Sequence, residues 1–346
     1  MSANVSAEML HLFQEELRLC KVSPGETVAV LTAGTVRADY AQAFLLAARH
    51  LGANSFQVNI PNDLGMLSAA SIGKTPLANC RPAINALKEA DMVIDLLGLL
   101  FSQEQLEITN SGTRMLYVAE PFHVLKQMFP TESLRKRVEN AAERFKTARL
   151  LHVTSKAGTD IRYQLGQYPV MTEYGYTDTP GRWDHFPSGF LFTHGNDDGV
   201  DGTVVLMPGD AIAAFRRYLT SRVVLTVEKG HVTKIEGDGM DADLISDYLS
   251  SFDDPRAYAV SHIGWGLNER AKWFHMVETR ELNRERAMNS LSFYGNVLFS
   301  TGPNTELGGT NDTACHLDLP LRNCSLTLDG ELIVERGTIV PADMRK

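Results

Sequence analysis

Apolar residues at Leu10, Phe13 and Leu17 recur with the helical period, and after the Pro24-Gly25 turn the run Thr27 to Thr32 reads as a buried strand. A second helical pattern from about Arg37 to His50 ends at Gly52. The strand-like stretch Ser55 to Ile60 stops at Pro61. Asp91 introduces a further strand over Met92 to Leu97, and another follows at Met115 to Ala119. Helices alternating with short apolar strands predict a mostly parallel sheet, because parallel neighbours need crossover connections.

The pattern changes near Thr131. A charged helix is predicted from there to Ala148, with Thr131 as its cap and Glu132 in its first turn, where an acid complements the helix dipole. Beyond it strands dominate: Leu150 to Ser155, Thr203 to Met207, and the pair Val223 to Glu228 and Val232 to Glu236 around a Lys229-Gly230 turn. Ser325 to Leu328 and Glu331 to Val334 flank Asp329-Gly330 as a second hairpin. The expected architecture is α/β: a parallel-sheet α/β domain over 1–130, a connecting helix over 131–149, and an α+β domain over 150–346, rich in antiparallel strands, that carries the metal site.

Composition narrows the function. A chain of 346 residues with 44% hydrophobic and 22% charged residues has the length and texture of a two-domain globular protein. Its formal charge of -9 disfavours binding to nucleic acid, which needs clustered cations to displace counterions. The short basic run Arg135-Lys136-Arg137, among Glu132, Glu139 and Glu143, reads as a solvated helix face. Cys20, Cys80, Cys315 and Cys324 form no CxxC pair and read as reduced thiols. With no signal-peptide pattern at the start and no run of about 18 apolar residues, the expected location is the cytoplasm, without membrane contact. No GxGxxG follows the first strand and no GxxxxGK[ST] occurs, so no nucleotide cofactor is expected.

The chemistry gathers late in the chain. In Cys315-His316-Leu317-Asp318-Leu319 a strand would project His316 and Asp318 from one face while the leucines pack on the other. An imidazole and a carboxylate suit a divalent first-row metal. With one more histidine they make the two-histidine, one-carboxylate set of non-haem iron(II) oxygenases. His262 is the candidate third ligand, on a strand-like segment running into Gly264 and Gly266, where absent side chains allow close approach. Spacing alone equally permits a structural hydrogen bond between His316 and Asp318. The Gly/Pro loop before them carries Ser300, Asn304 and Glu306, and loops of this kind often carry binding groups.

A second dense patch holds Glu173, Tyr174, Arg182, Trp183 and His185 among glycines. Glu173, Arg182 and His185 could fix and deprotonate a hydroxylated aromatic ring, with Tyr174 or Trp183 stacking on it; an ordinary turn around a structural tryptophan fits the same letters. Ser71-Ile-Gly-Lys74 matches SxxK by letter only, and Ser188 lies outside any GxSxG. His11, His50, His123, His152, His194, His231 and His275 have no metal-like spacing and read as surface or capping histidines.

Five stretches carry a wider likeness: SKAGTD at 155–160, LGQYPVMTEYGYTDTPGRWDHFPSGF at 165–190, SHIGWGLN at 261–268, FYGNVLFSTGPNTE at 293–306 and CHLDLPLRNC at 315–324. Through them nearly the whole chain resembles the 2,5-dihydroxypyridine 5,6-dioxygenases (NicX) of nicotinic acid breakdown, which are distantly similar to an aminopeptidase fold that keeps a His-x-Asp metal pair. The resemblance implies Fe(2+) held by His262, His316 and Asp318, a ring-contacting histidine at His185, and cleavage of 2,5-dihydroxypyridine by O2 to N-formylmaleamate. Phe101 departs from the pattern, standing where some members carry a histidine proposed as base, so His185 becomes the candidate proton acceptor. Glu173 joins His185 as a catalytic candidate, Phe101, Arg182, Ser300 and Glu306 are the candidates to bind the ring, with Glu173 and His185 also helping to orient it, and a homo-oligomer is expected. Two rivals remain. One is a zinc hydrolase on the same scaffold, with Glu306 activating water, although no HExxH occurs. The other is a catalytically silent binding or assembly protein, which would have no need of three convergent ligands.

Overall fold

The computed structural model describes residues 5–61, 73, 75–277 and 287–346, and the SxxK letters at Ser71 and Lys74 lie outside them. The described residues fall into two compact units: those up to Pro130 with Tyr174–Ser188, and Thr131–Glu173 with 189–277 and 287–346.

The first unit is built on a five-stranded parallel sheet in the spatial order Asn54–Ile60, Thr27–Ala33, Met92–Asp95, Arg114–Val118, Trp183–Phe186. The central strands are buried along almost their whole length, which explains why they read as continuous apolar runs rather than as alternation. The first helix, Ala7–Leu19, starts where Ser6 accepts a hydrogen bond from the Met9 N–H. It buries Phe13, stacked on Phe44 of the Ala38–His50 helix at 3.9 Å between ring centroids.

The strand expected over Met92 to Leu97 stops at Asp95 for a local reason. The Asp95 carboxylate accepts hydrogen bonds from the backbone N–H groups of Leu97, Gly98 and Leu99, at 2.7 to 2.9 Å, and so folds the chain into a turn. The Trp183–Phe186 strand was not expected from the pattern. Its register beside Arg114–Val118 brings a piece of the dense 165–190 patch into the first unit's sheet.

In the second unit an eight-stranded antiparallel sheet runs in the order His231–Glu236, Val223–Glu228, Val200–Leu206, Asp160–Gln164, Leu150–Thr154, Ser325–Leu328, Glu331–Glu335, Thr338–Ile339. Both expected hairpins are present. Their turns, Lys229-Gly230 and Asp329-Gly330, have positive φ at both positions, the geometry that matches strand twist.

The helix expected after Thr131 spans Glu132–Thr147. It buries Leu134, Val138, Ala141, Ala142 and Phe145 along one face, with Phe145 against Trp265 of the second unit. One detail of its charged face is corrected: Arg137 is buried and paired with Glu269, so only part of the basic run is solvated. A second antiparallel sheet, ordered Leu317–Leu321, Val297–Thr301, Val260–Gly266, Phe190–His194, Met171–Glu173, carries the residues of interest. Among the described residues no helix is long and apolar enough to cross a membrane.

Candidate metal centre

Strand pairing in this second sheet assembles the site. Leu317 and Leu319 are buried in the core while Asp318 points to the other face, opposite Ser300 in the register, as the alternation of the segment requires. His316 stands just before the strand. Tyr248 holds its backbone carbonyl through a 2.9 Å hydrogen bond. Gly302 leaves room for the His316 ring: a Cβ there would lie 2.9 Å from His316 Nδ1 and 2.7 Å from the Cys315 carbonyl oxygen.

His262 reaches the same face through a bulge. Val260 pairs with Thr301 and Ile263 with Phe299, so Ser261 and His262 together span the position that Ser300 fills alone on the next strand. Both bulge residues are tied down. Ser261 donates its hydroxyl to the Pro303 carbonyl at 2.6 Å, and Ser300 donates its hydroxyl to the His262 carbonyl at 3.1 Å.

His262, His316 and Asp318 thereby offer ligand atoms that all lie within 4.8 Å of one another, with His316 Nε2 3.1 Å from Asp318 Oδ1. Two imidazoles and one carboxylate on a single buried face are a donor set fitted to a borderline divalent cation. Burial pushes the pKa of His262 down to about 4 against the opposing pull of Glu306, so at neutral pH the ring is in the form that binds metal.

Glu306 is more deeply involved than a place in a Gly/Pro loop suggested. It sits on the short Thr305–Leu307 turn with its side chain buried. Oε1 faces His262 Nε2 at 2.9 Å and His194 Nε2 at 2.6 Å. Burial alone would raise its pKa, but the hydrogen bonds and favourable electrostatics of the two histidines outweigh burial and hold it below the ordinary carboxylate range.

The expectation for His194 is overturned. It is neither a surface nor a capping histidine but a buried residue in direct register with His262 on the neighbouring strand. No spacing signal could reveal it, because the juxtaposition comes from pairing between strands far apart in the chain.

The other candidates are distributed by unit. Glu173 is buried at the end of the Met171–Glu173 edge strand of the sheet that holds the candidate metal ligands. Ser300 lies in the same sheet. Phe101, Arg182 and His185 belong to the first unit.

His185 is buried with its ring 4.7 Å from that of Tyr117. The Arg182 guanidinium pairs with the buried Asp184 and lies 3.9 Å above the Tyr174 ring. Burial raises the Asp184 pKa despite Arg182. Its Oδ1 accepts hydrogen bonds from the N–H groups of Gly175 and His185 and fixes the turn around them.

Paired imidazole and carboxylate donors on an α/β scaffold define a metal-dependent enzyme. The chain belongs to the NicX family, described as 2,5-dihydroxypyridine 5,6-dioxygenase, which it matches over residues 8–341. It is 46% identical over 340 residues to the 2,5-dihydroxypyridine 5,6-dioxygenase of Pseudomonas putida strain KT2440, covering 97% of each chain. The solved structure of the dioxygenase from P. putida KT2440 superposes with a TM-score of 0.95 at 45% identity, covering 99% of this chain and all of that one. Wild-type AmpT from Thermus thermophilus shares the fold at a TM-score of 0.66 and 14% identity, over 96% of this chain and 99% of that one.

Proposed function

We propose that this protein is an iron(II)-dependent dioxygenase that cleaves 2,5-dihydroxypyridine with O2 to N-formylmaleamate, as a cytoplasmic homo-oligomer serving nicotinate degradation. The observation that carries the reading is the convergence of His262, His316 and Asp318 in a chain of this family. Those three residues would hold the metal. Iron(II) held there would supply the redox chemistry that lets dioxygen react with a closed-shell ring.

The remaining chemistry falls to side chains. A ring with hydroxyls at opposite positions needs protein groups to orient it and to accept a proton. Phe101 has no group that can take one, so His185 is assigned the proton of a ring hydroxyl. Glu173 and Glu306 supply negative oxygen acceptors for ring hydroxyls. Arg182 acts through Asp184, holding the turn that carries His185, and Ser300 acts through the His262 carbonyl.

The test is anaerobic loading with iron(II), then oxygen uptake with 2,5-dihydroxypyridine and mass analysis of the product under ¹⁸O2, beside a peptide-hydrolysis control with zinc. Two labelled oxygen atoms in the product are expected. No oxygen uptake, or peptide cleavage by the zinc form, would overturn the reading in favour of a hydrolase.

A further inference from the structure

His262 belongs to two groups of potential ligands at once. Besides the set with His316 and Asp318, the ligand atoms of His194, His262 and Glu306 lie within 4.8 Å of one another. All three residues of this second group are buried. The Nε2 atoms of both histidines point at one carboxylate oxygen, and the other groups of the cluster are left over: Glu306 Oε2 and His194 Nδ1 are enclosed without a hydrogen-bond partner. A buried carboxylate oxygen without a partner costs free energy that a cation taking Glu306 through both oxygens would offset.

We propose that His194, His262 and Glu306 form a second, alternative cation position, suited to zinc, that competes with the His262, His316 and Asp318 position for the shared histidine. Two nitrogens and one carboxylate oxygen make a donor set zinc accepts in tetrahedral geometry. Around such an ion the donors stand about 3.3 Å apart, given zinc bonds of about 2.0 to 2.1 Å. The observed 2.6 and 2.9 Å contacts need only a small outward movement of Glu306, which sits on a short turn between glycines rather than in the sheet.

Occupancy of the two positions is exclusive. The groups share only a neutral imidazole and no carboxylate, so nothing anionic lies between two dications to offset their repulsion. Zinc held by His194 and Glu306 therefore withdraws His262 from the other set, and the protein would lose its oxygenase metal when zinc is abundant.

The experiment measures zinc binding to the metal-free full-length protein, so its outcome does not depend on turnover or on the dioxygenase reading. His194→Ala should weaken zinc by more than about 100-fold, beyond the usual effect of removing a supporting group, whereas Asp318→Ala should leave zinc within about threefold. Iron(II) should show the reverse order. Total bound metal should stay at one ion per chain when both are supplied, and the zinc X-ray absorption spectrum of wild type should change on His194→Ala. Circular dichroism of each variant guards against misfolding. Zinc affinity that follows Asp318 and ignores His194, or two ions bound together, would overturn the proposal.

Discussion

Ser300 donates its hydroxyl to the backbone carbonyl of His262 at 3.1 Å, across the bulge that presents the His262 ring to the site. The bond satisfies a buried carbonyl and fixes the backbone that carries a proposed ligand. Ser300→Ala should lower stability by about 1 kcal/mol, the ordinary worth of one such bond. It should also weaken iron(II) binding by about 10- to 100-fold, as loss of a ligand's support usually does. Metal titration and urea denaturation of the same preparations read both effects. Unchanged metal affinity beside the stability loss would confine Ser300 to the fold.

Gly302 tests the other side of the centre. Its φ of +139° and the 2.7 Å approach of the Cys315 carbonyl leave no place for a methyl group, which would also press on the His316 ring. Gly302→Ala should cost about 1 to 3 kcal/mol. The metal should be lost before the fold is. Iron content after dialysis, compared with the thermal unfolding curve of the metal-free protein, separates the two.

His185→Ala isolates proton transfer from metal binding. Removal of a general base costs about 10² to 10⁴ in rate, and the loss should appear in kcat with iron(II) affinity unchanged. Wild-type turnover at saturating substrate would remove His185 from the mechanism.

Asp241 gives a prediction about stability and pH. Its buried Oδ2 accepts hydrogen bonds from the N–H groups of Thr220 and Ser221 at 2.7 and 2.8 Å and from both hydroxyls, while Oδ1 faces Arg217. Burial works to raise its pKa, but these donors outweigh burial and the carboxyl titrates below its ordinary value. A depressed folded pKa contributes stability above the unfolded value of about 3.9 and loses it as pH falls toward the folded value. Asp241→Asn should therefore cost about 1.5 to 3 kcal/mol at neutral pH. The difference from wild type should shrink as pH falls below about 4. Denaturant midpoints across pH 7 to 3 (about the range where carboxylates titrate) check it, and a pH-independent difference would contradict it.

Much of this centre was legible in the chain because its signals are local. Alternation through Leu317, Asp318 and Leu319 needs no knowledge of the fold, and neither do the glycines after His262 or the hairpins at Lys229-Gly230 and Asp329-Gly330. What stayed hidden depends on pairing between distant strands. His194 lies opposite His262 only because the Phe190–His194 strand joins that sheet, and Trp183–Phe186 enters the parallel sheet through a partner at Arg114–Val118. Arg137 shows the same limit for charge: its neighbours in sequence are solvated, and its burial follows from a partner, Glu269, supplied by another part of the second unit.

Phe101 holds a left-handed backbone conformation, with φ of +57°, and its ring is buried. The turn is held by others: Asp95 gathers the N–H groups of Leu97, Gly98 and Leu99, Gln105 Oε1 accepts the Phe101 N–H at 2.8 Å, and Ser102 caps the helix that follows. The backbone at position 101 is thus held by neighbouring polar groups, and a change of the buried side chain is felt in packing rather than in the turn. Histidine tolerates this backbone region better than phenylalanine does. Phe101→His should keep the turn, lose some stability through the apolar burial it removes, and install a second proton acceptor, visible as a new ionisation in the pH profile of kcat/KM.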